Sequence, residues 1–104
     1  MRAVVLTSVA QRQFREARDW YEAARPGLGG EFVENLDATL SVARVHPAQF
    51  KIAIKQYRRA LVKRFPYELF FEFNDDQVIV YSVFHTSQNP ARWAFLLNKS
   101  ASQR

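Results

Sequence analysis

A run of cations precedes a run of aromatic residues in the second half of the chain. The segment YRRALVKR at 57–64 carries Arg58, Arg59, Lys63 and Arg64, and the FPYELFFEF that follows carries five aromatic side chains and no cation. Guanidinium groups bind phosphates and carboxylates through paired hydrogen bonds, and ammonium groups act as point charges. A basic surface beside aromatic residues therefore favours a nucleic-acid or acidic partner. The alternative is a solvated strand face next to a core strand.

Histidine is the side chain best suited to accept a proton near neutral pH, and the chain has His46 and His85. Metal-free cleavage of RNA would need cations to stabilise the charged transition state and a proton acceptor near the 2′-hydroxyl. If the chain is a nuclease, Arg59 and Lys63 supply the charge and His85 accepts the proton. An ordinary hydrogen-bonded histidine is the alternative for His85. We expect a structural role for His46, because a helix C-terminus favours a cation there.

Motifs for other chemistries are missing from the sequence. It has no cysteine, no HExxH pair, no GxxxxGK[ST] or GxGxxG loop and no GxSxG elbow. We therefore expect neither a metal nor a cofactor. The glycine-rich segment PGLGG at 26–30 is typical of a turn between helices.

The length of 104 residues indicates one domain, which we place at 1–97 with a polar tail at 98–104. Hydrophobic residues make up 48% and charged residues 24%, as in an ordinary globular chain. The net charge is +5, but residues 38–67 carry seven basic and no acidic side chains. This asymmetry bears on partners and association rates and not on the fold.

The sequence also indicates a compartment. No stretch of about 18 apolar residues occurs, so we expect no membrane span. The start, MRAVVLTSVAQRQF, is interpreted as a first strand and not as a signal peptide. The lack of cysteine fits a reducing compartment. We expect a cytoplasmic protein.

Hydrophobic periodicity predicts two helices after a first strand. The predicted elements are a strand at 3–7, a helix at 9–25 capped by Thr7 or Ser8, and a helix from 28 or 30 to 45 that Pro47 ends. On the first helix, Arg15–Asp19 and Arg18–Glu22 are predicted as i,i+4 ion pairs.

The period then changes to that of strands. The predicted elements are strands at 57–64, 67–74 and 77–85, a hairpin turn at 74–77, and a short turn or helix from 89 to 93. The order is β-α-α-β-β-β. This order predicts an α+β fold in which a helical hairpin packs on a small, mainly antiparallel twisted sheet.

Alternation assigns side chains to the two faces of the last strands. In the middle strand, Tyr67, Leu69, Phe71 and Phe73 point one way, and Glu68, Phe70 and Glu72 point the other way. In the last strand, uninterrupted alternation groups Val78, Val80, Ser82 and Phe84 against Ile79, Tyr81, Val83 and His85. One face is expected to lie on the helices and the other to be partly solvated.

Three segments together resemble the RelE/ParE superfamily of type II toxin–antitoxin toxins. They are WYEAARPGLGGEF at 20–32, YRRALVKRFPYELFFEF at 57–73 and VFHTSQNPARW at 83–93. The resemblance implies a bacterial toxin that inhibits growth and is neutralised by a small antitoxin from the same operon. It implies an antitoxin groove at Trp20, Tyr21, Leu28 and Phe32 with a charged margin at Arg58, Arg59, Lys63 and Arg64. The alternative is that several of these aromatic residues are core. An exposed strand edge and an apolar groove also predict association with the antitoxin or with a second copy.

The superfamily has two branches with different targets. RelE-like members cut messenger RNA on the ribosome, and ParE-like members inhibit DNA gyrase. The usual terminal pattern, His-x-x-Arg-x-Pro-x-x-Trp, is matched at His85, Pro90 and Trp93, but Gln88 replaces its arginine. The missing guanidinium and the PGLG turn favour the ParE-like branch. A RelE-type nuclease or a degenerate, non-toxic member remains the alternative.

Overall fold

The structure is a computed structural model that describes residues 1–87. The helices are α1 (Ser8–Ala24) and α2 (Leu28–Val45), and a single 3-10 turn (Pro47–Gln49) follows them. The strands are β1 (Ala3–Leu6), β2 (Lys51–Ile54), β3 (Tyr57–Leu61), β4 (Tyr67–Phe73) and β5 (Gln77–His85). The predicted domain limits at 97 and 98 and the predicted turn or helix at 89–93 lie outside the described residues and stay predictions.

The five strands form one sheet in the order β1-β5-β4-β3-β2. The first strand runs parallel to β5, and the other neighbouring pairs are antiparallel. Both helices contribute to a core on one face of this sheet. The predicted α+β fold, a helical hairpin on a small, mainly antiparallel sheet, is confirmed.

The region around β2 and β3 differs from the prediction. The strand β2 was not predicted, because three of its four residues are exposed and show no alternation. The strand predicted at 57–64 ends at Leu61, because the chain turns there. Arg64 adopts a φ of 71°, and the N–H of Val62 donates to the carbonyl of Tyr67 at 2.8 Å. Lys63 therefore lies in a turn and not in a strand.

The helix α1 begins where Thr7 caps it: the side chain accepts a hydrogen bond from the N–H of Ala10 at 3.2 Å. The side chains that it buries are Ala10, Ala17 and Tyr21, as the periodicity predicts. The two predicted i,i+4 ion pairs are wrong. Arg18 instead contacts Asp19 at 3.0 Å, and Arg12 contacts Glu16 at 3.9 Å. The carboxylate of Glu22 has a different role at the turn that follows.

The turn between the helices requires two of its glycines. Gly27 adopts a φ of 91°, in the left-handed region that favours glycine. A Cβ at Gly29 would lie 2.8 Å from the carbonyl oxygen of Arg18, so a side chain there would force α1 and α2 apart. The Glu22 carboxylate accepts from the N–H groups of Gly27 and Gly29, both at 3.0 Å. These contacts fix α2 closely against α1.

A β-bulge interrupts the alternation of β5. Phe70 pairs with Ser82, whereas the next residue, Phe71, pairs with Val80, so Tyr81 is one residue more than β4 matches. The predicted uninterrupted alternation of the last strand is therefore wrong after Tyr81. The alternation predicted for β4 is confirmed, because Phe71 packs with the helix-facing core and Phe70 packs on the opposite face.

The bulge determines which side chains of β5 approach α1. Val83 joins the helix-facing core, whereas Phe84 packs on the opposite face. The side-chain oxygen of Gln13 on α1 accepts from the N–H of Val83 at 2.8 Å and from the hydroxyl of Ser82 at 3.0 Å. This hydrogen bonding ties α1 to the strand at the bulge. It also leaves His85, paired with Tyr67, on the helix-facing side.

Candidate functional site

A trough of about 790 Å³ opens between α1 and the ends of β4 and β5. Its lining combines aromatic, aliphatic and charged side chains. The lining residues are Arg12, Gln13, Glu16, Ala17, Trp20, Tyr21, Pro66, Tyr67, Val83 and His85. A concave, largely aromatic surface with a few polar groups is the usual form of a binding site.

The trough exists because β1 is shorter than β5. The last pair between these strands is Leu6 with Val80, and β5 continues to His85. Beyond Leu6 the edge of β5 faces α1 and not another strand. Arg12, Glu16 and Trp20 follow one another at steps of four residues, so they form one stripe along the helix wall of the trough.

The floor of the trough is a chain of aromatic rings. The Trp20 side chain is 66% exposed and meets the ring of Tyr21 edge-on at 5.2 Å. The Tyr21 and Tyr67 rings are 6.0 Å apart, and the Tyr67 and His85 rings are 5.3 Å apart. Burial raises the pKa of Tyr67, and the neighbouring Tyr21 and Glu16 raise it further. Burial likewise raises the pKa of Tyr21, so both phenols are neutral at physiological pH.

The imidazole of His85 is oriented by the residues that follow it. Its Nδ1 lies 2.7 Å from the hydroxyl of Ser87 and accepts a hydrogen bond from the Ser87 N–H at 3.1 Å. Because Nδ1 accepts from a backbone donor, the neutral ring carries its proton on Nε2. This arrangement fixes the ring at the mouth of the trough.

The three residues predicted for a nuclease are not brought together. His85 meets the ring of Tyr67 edge-on on the helix-facing side of the sheet. Arg59 lies on the opposite face, where its guanidinium is 3.6 Å from the buried carboxylate of Glu68. Lys63 is exposed in the turn after β3. The sheet itself separates the predicted proton acceptor from the predicted cation.

The four cations predicted as one charged margin also point in different directions. Arg58 donates to the carbonyl of Phe50 at 2.7 Å and lies over the ring of Phe73, so it supports the fold from the helix-facing side. Arg59 lies on the other face of the sheet. Arg64 is 3.4 Å from Glu31 at the start of α2. The basic segment therefore does not form a single margin.

Of the four residues predicted for the antitoxin groove, two line the trough. Trp20 and Tyr21 line the trough. Phe32 is fully buried and contacts the rings of Tyr21, Phe65 and Tyr67, so it belongs to the core. Leu28 is half-buried against the same core and does not line the trough.

The sequence matches the family model described as the ParE toxin of the type II toxin–antitoxin system parDE, over residues 4–90. The chain belongs to the ParE toxin family. Among solved structures, one chain of the chromosomal ParDE toxin–antitoxin system from P. aeruginosa superposes with a TM-score of 0.70 at 13% identity, covering 82% of this chain and 96% of that one. At that identity the superposition supports the shared fold. A search of curated proteins finds no match.

Membership of the ParE family agrees with the superfamily and the branch that the sequence predicted. Of the terminal pattern, only His85 is described by the structure, and Gln88, Pro90 and Trp93 lie outside the described residues. Within residues 1–87 no group of three or more histidine, cysteine or acidic side chains could hold a metal ion. In the same range no helix has the length and apolar character needed to cross a bilayer.

Sequence reasoning missed most of the trough of this ParE-family chain. Arg12 and Glu16 were not predicted as site residues, although steps of four along the helix place them on one stripe with Trp20. Tyr67 was grouped correctly with Leu69 and Phe71, which the structure places on the helix-facing side, but its position at the start of β4 gave no sign of a cavity. Gln13 had no detectable signal, because its partner is a bulge that the sequence did not predict.

Proposed function

We propose that this chain is a toxin that binds and inhibits DNA gyrase and is itself neutralised by a cognate antitoxin. Membership of the ParE toxin family supports the toxin role. The observation that carries the choice of target is the separation of Arg59 and His85 by the sheet. Because the predicted nuclease residues within residues 1–87 are not assembled into one site, we infer that the toxin acts by binding a macromolecule.

Two features of the Arg59 face argue against cleavage of RNA. A general base must lie within hydrogen-bond reach of the proton that it takes, and His85 is on the other side of the sheet from Arg59. The guanidinium of Arg59 is already paired with the carboxylate of Glu68. The Glu68 carboxylate beside Arg59 would repel a phosphate that Arg59 is required to hold.

The trough supports the proposed contact with the antitoxin. Exposed tryptophan and tyrosine side chains at the centre of a concave surface are the usual anchors of protein interfaces. Trp20 provides the exposed ring, and Tyr21 and Tyr67 provide the floor beneath it. An amphipathic helix of the antitoxin would bury this chain of rings.

Induction of the gene alone in a bacterial host tests the proposal. We expect induction of the DNA-damage response and filamentous cells, while protein synthesis is initially intact. Arg59→Ala and His85→Ala are each expected to remain toxic, because neither residue acts in chemistry. Circular dichroism of the purified variants shows whether the fold is kept.

Two results would replace the proposal by its alternatives. Cleaved transcripts and an early stop in protein synthesis, with toxicity lost in Arg59→Ala or His85→Ala, would indicate a ribosome-dependent endoribonuclease. Normal growth despite accumulation of folded protein would indicate a degenerate, non-toxic member of the family. Co-expression of a small acidic reading frame adjacent to the gene is expected to restore growth.

A further inference from the structure

The β2–β3 hairpin has a surface unlike any other in the described part of the chain. It carries two exposed lysines, Lys51 and Lys55, and neither of them lies within ion-pair distance of a carboxylate in residues 1–87. On α1, by contrast, Arg12 and Arg18 each lie beside an acidic side chain. The hairpin is therefore a site of uncompensated positive charge.

Apolar side chains are exposed between these lysines. Ile52 is 58% exposed, Ile54 is 38% exposed, and Leu61 on the neighbouring strand is 66% exposed. Scattered exposed aliphatic residues are common, but here they occupy two adjacent strands of a single hairpin. We name Lys51, Ile52, Ile54 and Lys55, which follow one another along the edge strand β2 and into its turn, the hairpin surface.

The backbone of β2 is also available for pairing. The strand is last in the sheet order, and within residues 1–87 its outer edge has no partner strand. An open edge presents N–H and C=O groups that an extended segment can bind by strand addition. The hairpin surface thus combines backbone hydrogen-bonding groups, apolar side chains and positive charge.

We propose that the hairpin surface binds an extended, acidic segment of a partner protein that adds as a strand to the edge of β2. Glutamate or aspartate side chains of that segment meet the lysines, and its aliphatic side chains cover Ile52 and Ile54. This surface lies at the opposite edge of the sheet from β5 and the trough, so it is a second docking surface beyond the trough contact of the proposed function.

Charge argues against a second copy of β2 at this edge, and the exposed aliphatic side chains argue against nucleic acid. Pairing of β2 with a second copy of itself around Ala53 would place Lys51 opposite Lys55, and like charges directly opposite destabilise a strand pair. Nucleic acid would satisfy the lysines, but its phosphate backbone offers little apolar surface for Ile52, Ile54 and Leu61. An acidic strand with alternating aliphatic residues satisfies both requirements.

A direct test uses the isotope-labelled full chain and a blocked hexapeptide of alternating glutamate and valine. We expect saturable shifts of the backbone amides of β2 on titration, with weaker binding as salt is raised. Lys51→Glu combined with Lys55→Glu is expected to weaken the binding about tenfold, because two attractive pairs become repulsive. The matched control is Arg15→Glu, which reverses an exposed cation on α1 and should leave the affinity unchanged.

Backbone N-methylation of the peptide separates strand addition from simple charge attraction. Methylation of alternate residues removes the donors along one edge of the peptide and keeps its charge. One peptide is methylated at its odd-numbered residues and a second peptide at its even-numbered residues. Strand addition predicts that one of these two peptides loses binding and that the other retains it. Three results would each overturn the proposal. The two methylated peptides bind equally, an alternating lysine–valine peptide binds as tightly as the acidic peptide, or short duplex DNA displaces the acidic peptide.

Discussion

The trough and the hairpin surface lie at opposite edges of one sheet and differ in almost every physical property. In the trough, aromatic rings dominate and the cation Arg12 lies 3.9 Å from the carboxylate of Glu16. On the hairpin surface, the exposed side chains of Ile52 and Ile54 lie between Lys51 and Lys55, which have no ion pair with an acidic side chain in residues 1–87. The first surface is built for apolar anchoring, which salt affects little. The second is built for electrostatic attraction, which salt screens.

The difference shows that the positive charge of residues 38–67 does not itself mark the proposed antitoxin site. Arg58 supports the fold, Arg59 is paired with Glu68, and Arg64 is paired with Glu31. Lys51 and Lys55 have no ion pair within residues 1–87, and they lie at the edge of the sheet farthest from the trough. The net charge of a segment therefore gives its sign but not the place where a partner binds.

The largest expected effect separates the core beneath the trough from the trough itself. Phe32→Ala is expected to lower the free energy of unfolding by about 3–5 kcal/mol, because it leaves a cavity among Tyr21, Phe65 and Tyr67. Trp20→Ala is expected to change it by less than about 1 kcal/mol, because the ring is mostly exposed. Urea unfolding of both variants measures this. A stable Phe32→Ala protein would mean that Phe32 belongs to a binding surface after all.

A second comparison tests where the antitoxin binds. Trp20 and Leu61 are both 66% exposed, one in the trough and the other on β3 of the hairpin. Trp20→Ala is expected to weaken antitoxin binding by about 2 kcal/mol or more, which is roughly thirtyfold, because an aromatic anchor is lost. Leu61→Ala is expected to weaken antitoxin binding much less than Trp20→Ala does. Calorimetric titration with the cognate antitoxin gives both values, and a larger loss for Leu61→Ala would move the antitoxin site to the hairpin.

The glycines of the helical turn test how the wall of the trough is held. Gly29→Ala places a Cβ against the Arg18 carbonyl, and overpacking of this kind costs about 1–3 kcal/mol. Gly30→Ala is the matched control, because no atom lies within 4 Å of its added Cβ. Alanine in that helical position should stabilise the protein by up to about 1 kcal/mol. Thermal unfolding measures both changes, and equal shifts for the two variants would contradict the close approach of α1 and α2.

Most of the helical layer was predictable from the sequence, and most of the sheet edge was not. The predicted bounds of both helices are within about two residues of those observed, because a period of 3.6 over many residues leaves few alternatives. The four residues of β2 are mainly exposed, and therefore they carry no periodic signal. The bulge at Tyr81 depends on pairing with β4 and on Gln13 of α1, so local sequence cannot reveal it.

The candidate site was predicted in part for the same reason. Trp20 and Tyr21 were identified through a family segment, and both line the trough. Phe32 belongs to that segment but points into the core, since its position in α2 is set by packing and not by the motif. Periodicity assigns a residue to a face of an element. It does not show where a neighbouring strand ends and leaves that face open.

The smallest expected effect concerns the floor of the trough at high pH. Burial raises the folded-state pKa of Tyr67 above its ordinary value of 10.0. The contribution of the neutral Tyr67 phenol to the stability of the fold is therefore complete below about pH 10. It decreases as the pH rises from there toward the folded-state pKa, because the phenol ionises first in the unfolded chain. Urea unfolding across this range should show a smaller loss of stability in Tyr67→Phe than in the native chain. An identical loss in both proteins would mean that Tyr67 is not the titrating group.

The central claim is that this ParE-family chain acts by binding gyrase and not by cutting RNA. The most direct test is supercoiling by purified DNA gyrase in the presence of the purified full chain, with a ribosomal translation reaction run in parallel. The account predicts inhibition of supercoiling, accumulation of cleaved DNA and intact messenger RNA, for the native chain and for His85→Ala alike. Unaffected supercoiling together with His85-dependent cleavage of messenger RNA on the ribosome would contradict it.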